Sequence, residues 1–227
     1  MAIAHGSTTV AASAGSSVLT ISNHVVSGKD VVLVVKVALT PTSRTITGIT
    51  WNGSENLTLV KRDQGTDAAC ELWYLANPTK ATADVVISIS GSTVIVAAAS
   101  TYTGVDKVSP LRLATAASAN GTDDSPTVDV VTLKNDMVVD SLCQVSAGPD
   151  TAIGDHTERH DAATTGVGDD VRGASQEKVS IGGTITMGWS MSSSDSWALV
   201  AVPLRTPLAD GYMAMSHAGL VKPPARW

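Results

Sequence analysis

Apolar and polar positions along this chain follow a period of two, and no segment follows a convincing period of 3.6. VLTIS at 18–22 and RTITGITW at 44–51 alternate, the latter with Ile46, Ile49 and Trp51 near one register, as strands with one buried face do. KDVVLVVKVAL at 29–39 is a continuous apolar run, which predicts a strand buried on both faces. Asn52-Gly53 comes directly after Trp51 and reads as a hairpin turn answered by NLTLVK at 56–61.

The pattern continues with CELWYLA at 70–76, DVVISIS at 84–90 and, beyond Gly91, STVIVAAASTYTG at 92–104. Its small-residue run VAAAS at 96–100 is read as strand because Ile95 and STYT flank it. PTVDVV at 126–131, NDMVVDSLCQV at 135–145, ASQEKVS at 174–180, TITMGWSM at 184–191 and WALVAVPL at 197–204 complete the set. The stretch 105–124 reads as a crossover between two halves and the Gly/Asp-rich stretch 147–170 as a loop. About a dozen short strands with turn signals every ~8–12 residues predict an all-β antiparallel sandwich of jelly-roll type.

Three segments are expected: an N-terminal arm or loosely attached edge at 1–16, a sandwich at 17–205 and a C-terminal arm at 206–227. In the last, Pro207, Gly211, Gly219, Pro223 and Pro224 break any regular element. Yet Tyr212, Met213, Met215, Leu220, Val221 and Trp227 make it too apolar for a solvated tail. They are the predicted partner-binding residues, because apolar groups beyond the last core strand need a surface to cover.

Composition sharpens this picture. With 43% hydrophobic residues, no Phe and five Trp, the core must be built from Val, Ile, Leu and Ala. Val and Thr, both β-branched, suit a pleated surface. A net charge of −6 and only 16% charged residues, with no basic cluster, exclude the phosphate-neutralising surface of a nucleic-acid binder. The start of the chain has no basic and apolar leader, so a protein made in a cytoplasm is expected. No apolar run approaches the ~18 residues of a membrane helix. Cys70 and Cys143 lie in apolar runs and read as buried thiols, with a disulfide between neighbouring strands the alternative.

Candidate chemistry is sparse. Asp155, His156, Glu158, His160 and Asp161 offer metal-ligand types, but without helical periodicity the spacing does not bring both imidazoles to one face, and a solvated loop is expected. Asp123-Asp124 and Asp169-Asp170 read as turn residues rather than calcium ligands. Glu71 and Glu177 are conceivable as a carboxylate pair, and Trp51 as a stacking platform for sugars, with Trp73, Trp189 and Trp197 in the core. No nucleophile elbow is present. No catalytic residue, metal or cofactor is predicted.

ELWYLANPTKATADVVISISG, then VAAASTYTGVDKVSPL, and finally WALVAVPLR together resemble a sandwich domain found in bacteriophage virion and bacterial surface proteins. The matching residues are Trp73, Tyr74, Pro78, Ser100, Tyr102, Gly104, Val105, Asp106, Trp197 and Val202. The likeness covers about residues 17–205 and leaves out both arms. It implies a jelly-roll-like body used for assembly or adhesion, with no catalytic residues. The expectation is therefore a non-enzymatic structural protein of a tailed-phage virion, a capsid decoration or cement protein. Its expected partners are the major capsid protein or other virion proteins and further copies of itself, with a trimer as the guess. The alternative is a carbohydrate-binding or adhesin module.

Overall fold

The computed structural model describes residues 2–145, 148, 150–164 and 170–207. The chain is an all-β antiparallel sandwich without an α-helix among these residues. Strands β1 (Ala4–Val26), β2 (Val32–Thr40), β3 (Ile46–Trp51), β4 (Glu55–Asn56), β5 (Thr58–Gln64), β6 (Ala69–Ala76) and β7 (Ala81–Thr103) form the first sheet. A 3-10 turn, Leu113–Thr115, leads to the remaining strands. They are β8 (Ala117–Gly121), β9 (Thr127–Thr132), β10 (Met137–Gln144), β11 (Asp150–Ala152), β12 (Thr157–Ala163), β13 (Arg172–Val179), β14 (Gly183–Met191) and β15 (Trp197–Leu204). They divide into a second sheet, ordered β12-β13-β10-β15-β8, and a third, ordered β11-β14-β9.

The first sheet curls until it is nearly closed. β2 and β3 lie end to end along one side of β7, pairing with its C-terminal and N-terminal halves respectively, while β1 follows the whole other side. Asn56 pairs beside β3 and Thr58 beside β6, only two residues later. That step is possible only if the two halves of the sheet face each other. Register shifts at Ser13/Ser16 and Ser16/Val18 let the β1–β7 ribbon bend there. The remaining seam runs between the two halves of β1, where Ser7 Oγ donates to the Val25 carbonyl at 2.7 Å and His24 Nδ1 meets Thr9 Oγ1 at 3.0 Å.

Four β layers result, with three cores between them. Inside the curled sheet, Leu33, Val35, Val37 and Leu39 of β2 face Trp51, Val85 and Ile87. The alternate β2 positions Val32, Val34 and Ala38 pack outward on Met137, Val139, Val200 and Val202 of the second sheet. The second sheet in turn places Leu142, Leu199 and Ala201 against Val130, Met187 and Trp189 of the third. β2, β10 and β15 are buried along their whole length because each separates two cores. Gly173 allows the middle layers to touch: a Cβ there would stand 2.9 Å from Val96 Cγ1 and 3.1 Å from Ala38 Cβ.

Several elements differ from the sequence reading. Asn52 and Gly53 do form a turn, with φ of 49° and 73° and Ser54 N–H donating to the Trp51 carbonyl at 3.2 Å. The returning strand, however, pairs with β3 for two residues only and then moves beside β6. The runs at 84–90 and 92–104 are one bent strand, β7. Residues 4–16, expected as an arm or loosely attached edge, are the first half of β1. Their Ala, Ser, Thr and Gly side chains carry no apolar period, and backbone pairing to β7 holds them. The stretch 147–170, expected as a loop, contains β11 and β12. Of the expected C-terminal arm, Thr206 and Pro207 are described. Tyr212, Met213, Met215, Leu220, Val221 and Trp227 lie outside the described residues.

Candidate functional site

Two regions stand out, one inside the molecule and one at its surface. The first begins with Lys36, the only charged side chain in β2 and fully buried. It lies on the same side of β2 as Val34 and Ala38, so its ammonium group enters the core between the first and second sheets. There Nζ donates to Ser100 Oγ at 2.9 Å, Ser175 Oγ at 3.1 Å and Tyr102 Oη at 3.4 Å. It also lies 5.6 Å from the Tyr102 ring centroid, within the range of a cation–π contact.

The network extends both ways. Ser100 Oγ meets Thr8 Oγ1 at 2.9 Å, and Thr8 meets His5 Nε2 at 2.8 Å. Ser175 Oγ meets His160 Nδ1 at 2.6 Å. Burial lowers the Lys36 ammonium to about 8, the Asp140 and Glu177 charges opposing the fall. Burial, with the Lys36 charge, holds His160 well below the ordinary imidazole range.

A serine sharing a hydrogen bond with a histidine and a second serine beside a lysine are the parts of an activated nucleophile. Both hydroxyls are fully enclosed, however, and every member already has a partner inside the protein. This arrangement pins the first sheet to the second. It offers no acyl or phosphoryl group a route to either oxygen. No local spacing links residues 36, 100 and 175; the available signal was one charge inside the apolar run KDVVLVVKVAL.

The residues singled out in the sequence do not converge. Asp155 pairs with Lys178, His156 with Gln176 Oε1 at 3.0 Å, and Asp161 with Arg172. His160 turns into the buried network instead. The expected solvated loop is thus strand β12, whose polar side chains are matched by charged and polar groups of β13. Among the described residues no three acidic, His or Cys side chains gather as a metal site.

Glu71 is held by Arg62 at 2.6 Å and Trp73 Nε1 at 2.7 Å, while Glu177 is held by Arg159. Each carboxylate is neutralised within its own sheet. Asp123 Oδ1 accepts from Ser125 N–H at 2.9 Å, as a turn residue does. Asp169 lies outside the described residues. Cys70 and Cys143 are both buried and free. Trp51 is enclosed in the first core, its Nε1 donating to the Thr79 carbonyl at 2.9 Å. Trp73, Trp189 and Trp197 are buried as well.

The second region is an apolar end. The turns after β9 and β13 are tied together: Asn135 N–H donates to the Ser180 carbonyl at 2.8 Å, and Thr132 Oγ1 meets Ser180 Oγ at 2.5 Å. Leu133 and Ile181 project from these turns, 57% and 90% exposed, near Val179 at 53%. Val179 borders two hollows. One, of about 360 Å³, is formed with Ile3, Met137, Thr206 and Pro207; the other, of about 380 Å³, with Ile181, Glu177 and Asp155.

No family model, no curated protein and no solved structure matches this chain.

Proposed function

We propose that this chain is a structural protein of a tailed-phage virion, a capsid decoration or cement protein that joins neighbouring subunits and does no chemistry of its own. The observation that carries the reading is the apolar end, where exposed Val179 lines a hollow together with Thr206 and Pro207, exposed Ile181 follows two residues on, and exposed Leu133 lies in the turn tied to Ser180. Scattered exposed apolar side chains are ordinary, but a contiguous group beside a hollow marks a contact surface. The segment that follows holds Tyr212, Met213, Met215, Leu220, Val221 and Trp227. The resemblance of the ELWYL, STYTGVD and WALVAVPL segments to phage sandwich domains gives the same direction. Four stacked layers with three separate cores supply the rigid body that such a role requires.

In this reading the partners are the major capsid protein and further copies of this chain, with three copies per unit. The carbohydrate-binding alternative loses its main support, because Trp51, the residue offered for stacking on a sugar, is enclosed. The test is quantitative mass spectrometry of virions purified from cells producing this chain. A copy number comparable to that of the major shell protein is expected. A chain abundant in the lysate and missing from purified virions would overturn the proposal.

A further inference from the structure

We infer that the hollow beside Val179 and the exposed apolar end around it receive residues 208–227 of a second copy of this chain, so that copies are linked by exchange of their C-terminal segments. The inference rests on the assembly reading above and names the acceptor surface and its occupant.

Three observations carry it. The acceptor is apolar where it matters: Ile3, Met137 and Val179 line the hollow, Val179 also borders the neighbouring hollow with exposed Ile181, and exposed Leu133 lies in the turn tied to Ser180. The donor segment is apolar out of proportion to its loop-like sequence, with two Met, Tyr212, Leu220, Val221 and Trp227 in twenty residues. It also begins at the acceptor itself, since Thr206 and Pro207 form part of the hollow's wall.

The assembly reading selects the second copy over the same chain, and the length of the segment permits it. Twenty extended residues span up to ~66 Å, ample to reach a neighbour. With donor and acceptor at one end of the molecule, copies gathered by that end around an axis each place a segment on the next. Such a ring closes with every hollow filled, at two copies or at three.

The experiment is light scattering on the full chain, on the acceptor variant Val179→Asp/Ile181→Asp and on the donor variant Met213→Asp/Leu220→Asp. Ile181→Asp alone is added because a side chain so exposed is replaceable without disturbing the fold. Near-ultraviolet circular dichroism of the buried tryptophans checks that each variant is folded. The full chain should scatter as a small multiple of 23.2 kDa, each double variant as a monomer, and Ile181→Asp should dissociate at least ten-fold more readily. An equimolar mixture of the two double variants should regain a two-chain species, because one still has a working segment and the other a working hollow. If the donor variant is monomeric and both acceptor variants stay assembled, the segment works elsewhere: the inference fails and the assembly reading stands. If the wild type is monomeric, or the donor variant stays assembled, segment exchange between copies is excluded, and only virion copy number then bears on the assembly reading.

Discussion

Lys36 Nζ lies 3.1 Å from Ser175 Oγ, so a side chain from the middle of β2 is hydrogen-bonded to one from the second sheet. The contact crosses a boundary otherwise filled by Val, Met, Ala and Leu. Hydrophobic burial alone would tolerate a slide of one sheet over the other, whereas a charged donor with three fixed hydroxyl acceptors permits one register.

This lysine should impose an alkaline dependence on stability. Burial lowers Lys36 from its ordinary 10.5 to about 8, while the nearby Asp140, Glu177 and Arg159 charges act more weakly. Between these two values the unfolded chain keeps a proton that the folded chain has released, so the contribution of Lys36 to stability rises with pH across that interval. The buried thiols of Cys70 and Cys143, raised by burial and the second of them to about 12, act the other way over the same interval, and buried Tyr102, pushed well above 10, joins them at higher pH. The urea midpoint of the wild type relative to that of Lys36→Met should therefore climb from pH 8 to 9.5 by the equivalent of about 1 kcal/mol, because the thiols act on both proteins alike. At neutral pH Lys36→Met should cost close to nothing, because an apolar side chain of similar length replaces a buried charge. An equal slope in the variant would remove Lys36 as its cause.

The seam of the curled sheet should respond in the acidic direction. His24 bridges it, with Nδ1 3.0 Å from Thr9 Oγ1, Nε2 2.9 Å from Thr101 Oγ1 and its ring edge-on to Trp51. Burial, assisted by His5, lowers His24 to about 4. Its contribution is therefore complete above pH 6.5 and is lost as the pH falls from there toward 4, where the unfolded chain binds the proton more readily. Amide exchange in residues 4–13 should quicken between pH 7 and 5, after correction for the intrinsic rate, while β10 and β15 stay protected. His24→Ala should give the fast pattern already at pH 7, with a cost of about 1–3 kcal/mol for two stranded hydroxyls. Unchanged protection of residues 4–13 in that variant would mean that backbone pairing to β7 alone closes the seam.

These two residues also mark what the sequence could and could not reveal. β2 and β15 were legible because they separate two cores, and a strand apolar at every position must be covered on both of its faces. The first half of β1 was not, since its small residues hold position through the backbone of β7 and leave no apolar signature. β12 was hidden for the opposite reason: its polar side chains meet matching groups on β13, so a paired strand looks like a solvated loop. The curl of the first sheet depends on Asn56 and Thr58 pairing with different strands, which no local pattern encodes.

Asp150 should be a site where removing a charge strengthens the fold. It is buried at the start of β11, and its N–H donates to Asp161 Oδ2 at 3.3 Å. Burial raises its carboxyl to about 7; repulsion from Asp161 adds to the rise and Arg172 opposes it. A carboxyl raised in this way contributes fully below its ordinary value of 3.8, and the contribution is lost as the pH rises through 7, where the folded protein must also ionise. Asp150→Asn fixes the neutral state without changing the shape of the side chain. It should raise the urea midpoint at pH 8 by the equivalent of about 1–2 kcal/mol, with the gain shrinking to nothing at pH 4. A loss of stability at pH 8 would show that the ionised carboxylate is needed there, with Arg172 outweighing both burial and Asp161. A gain of equal size at both pH values would point to better packing and not to the relief of a buried charge.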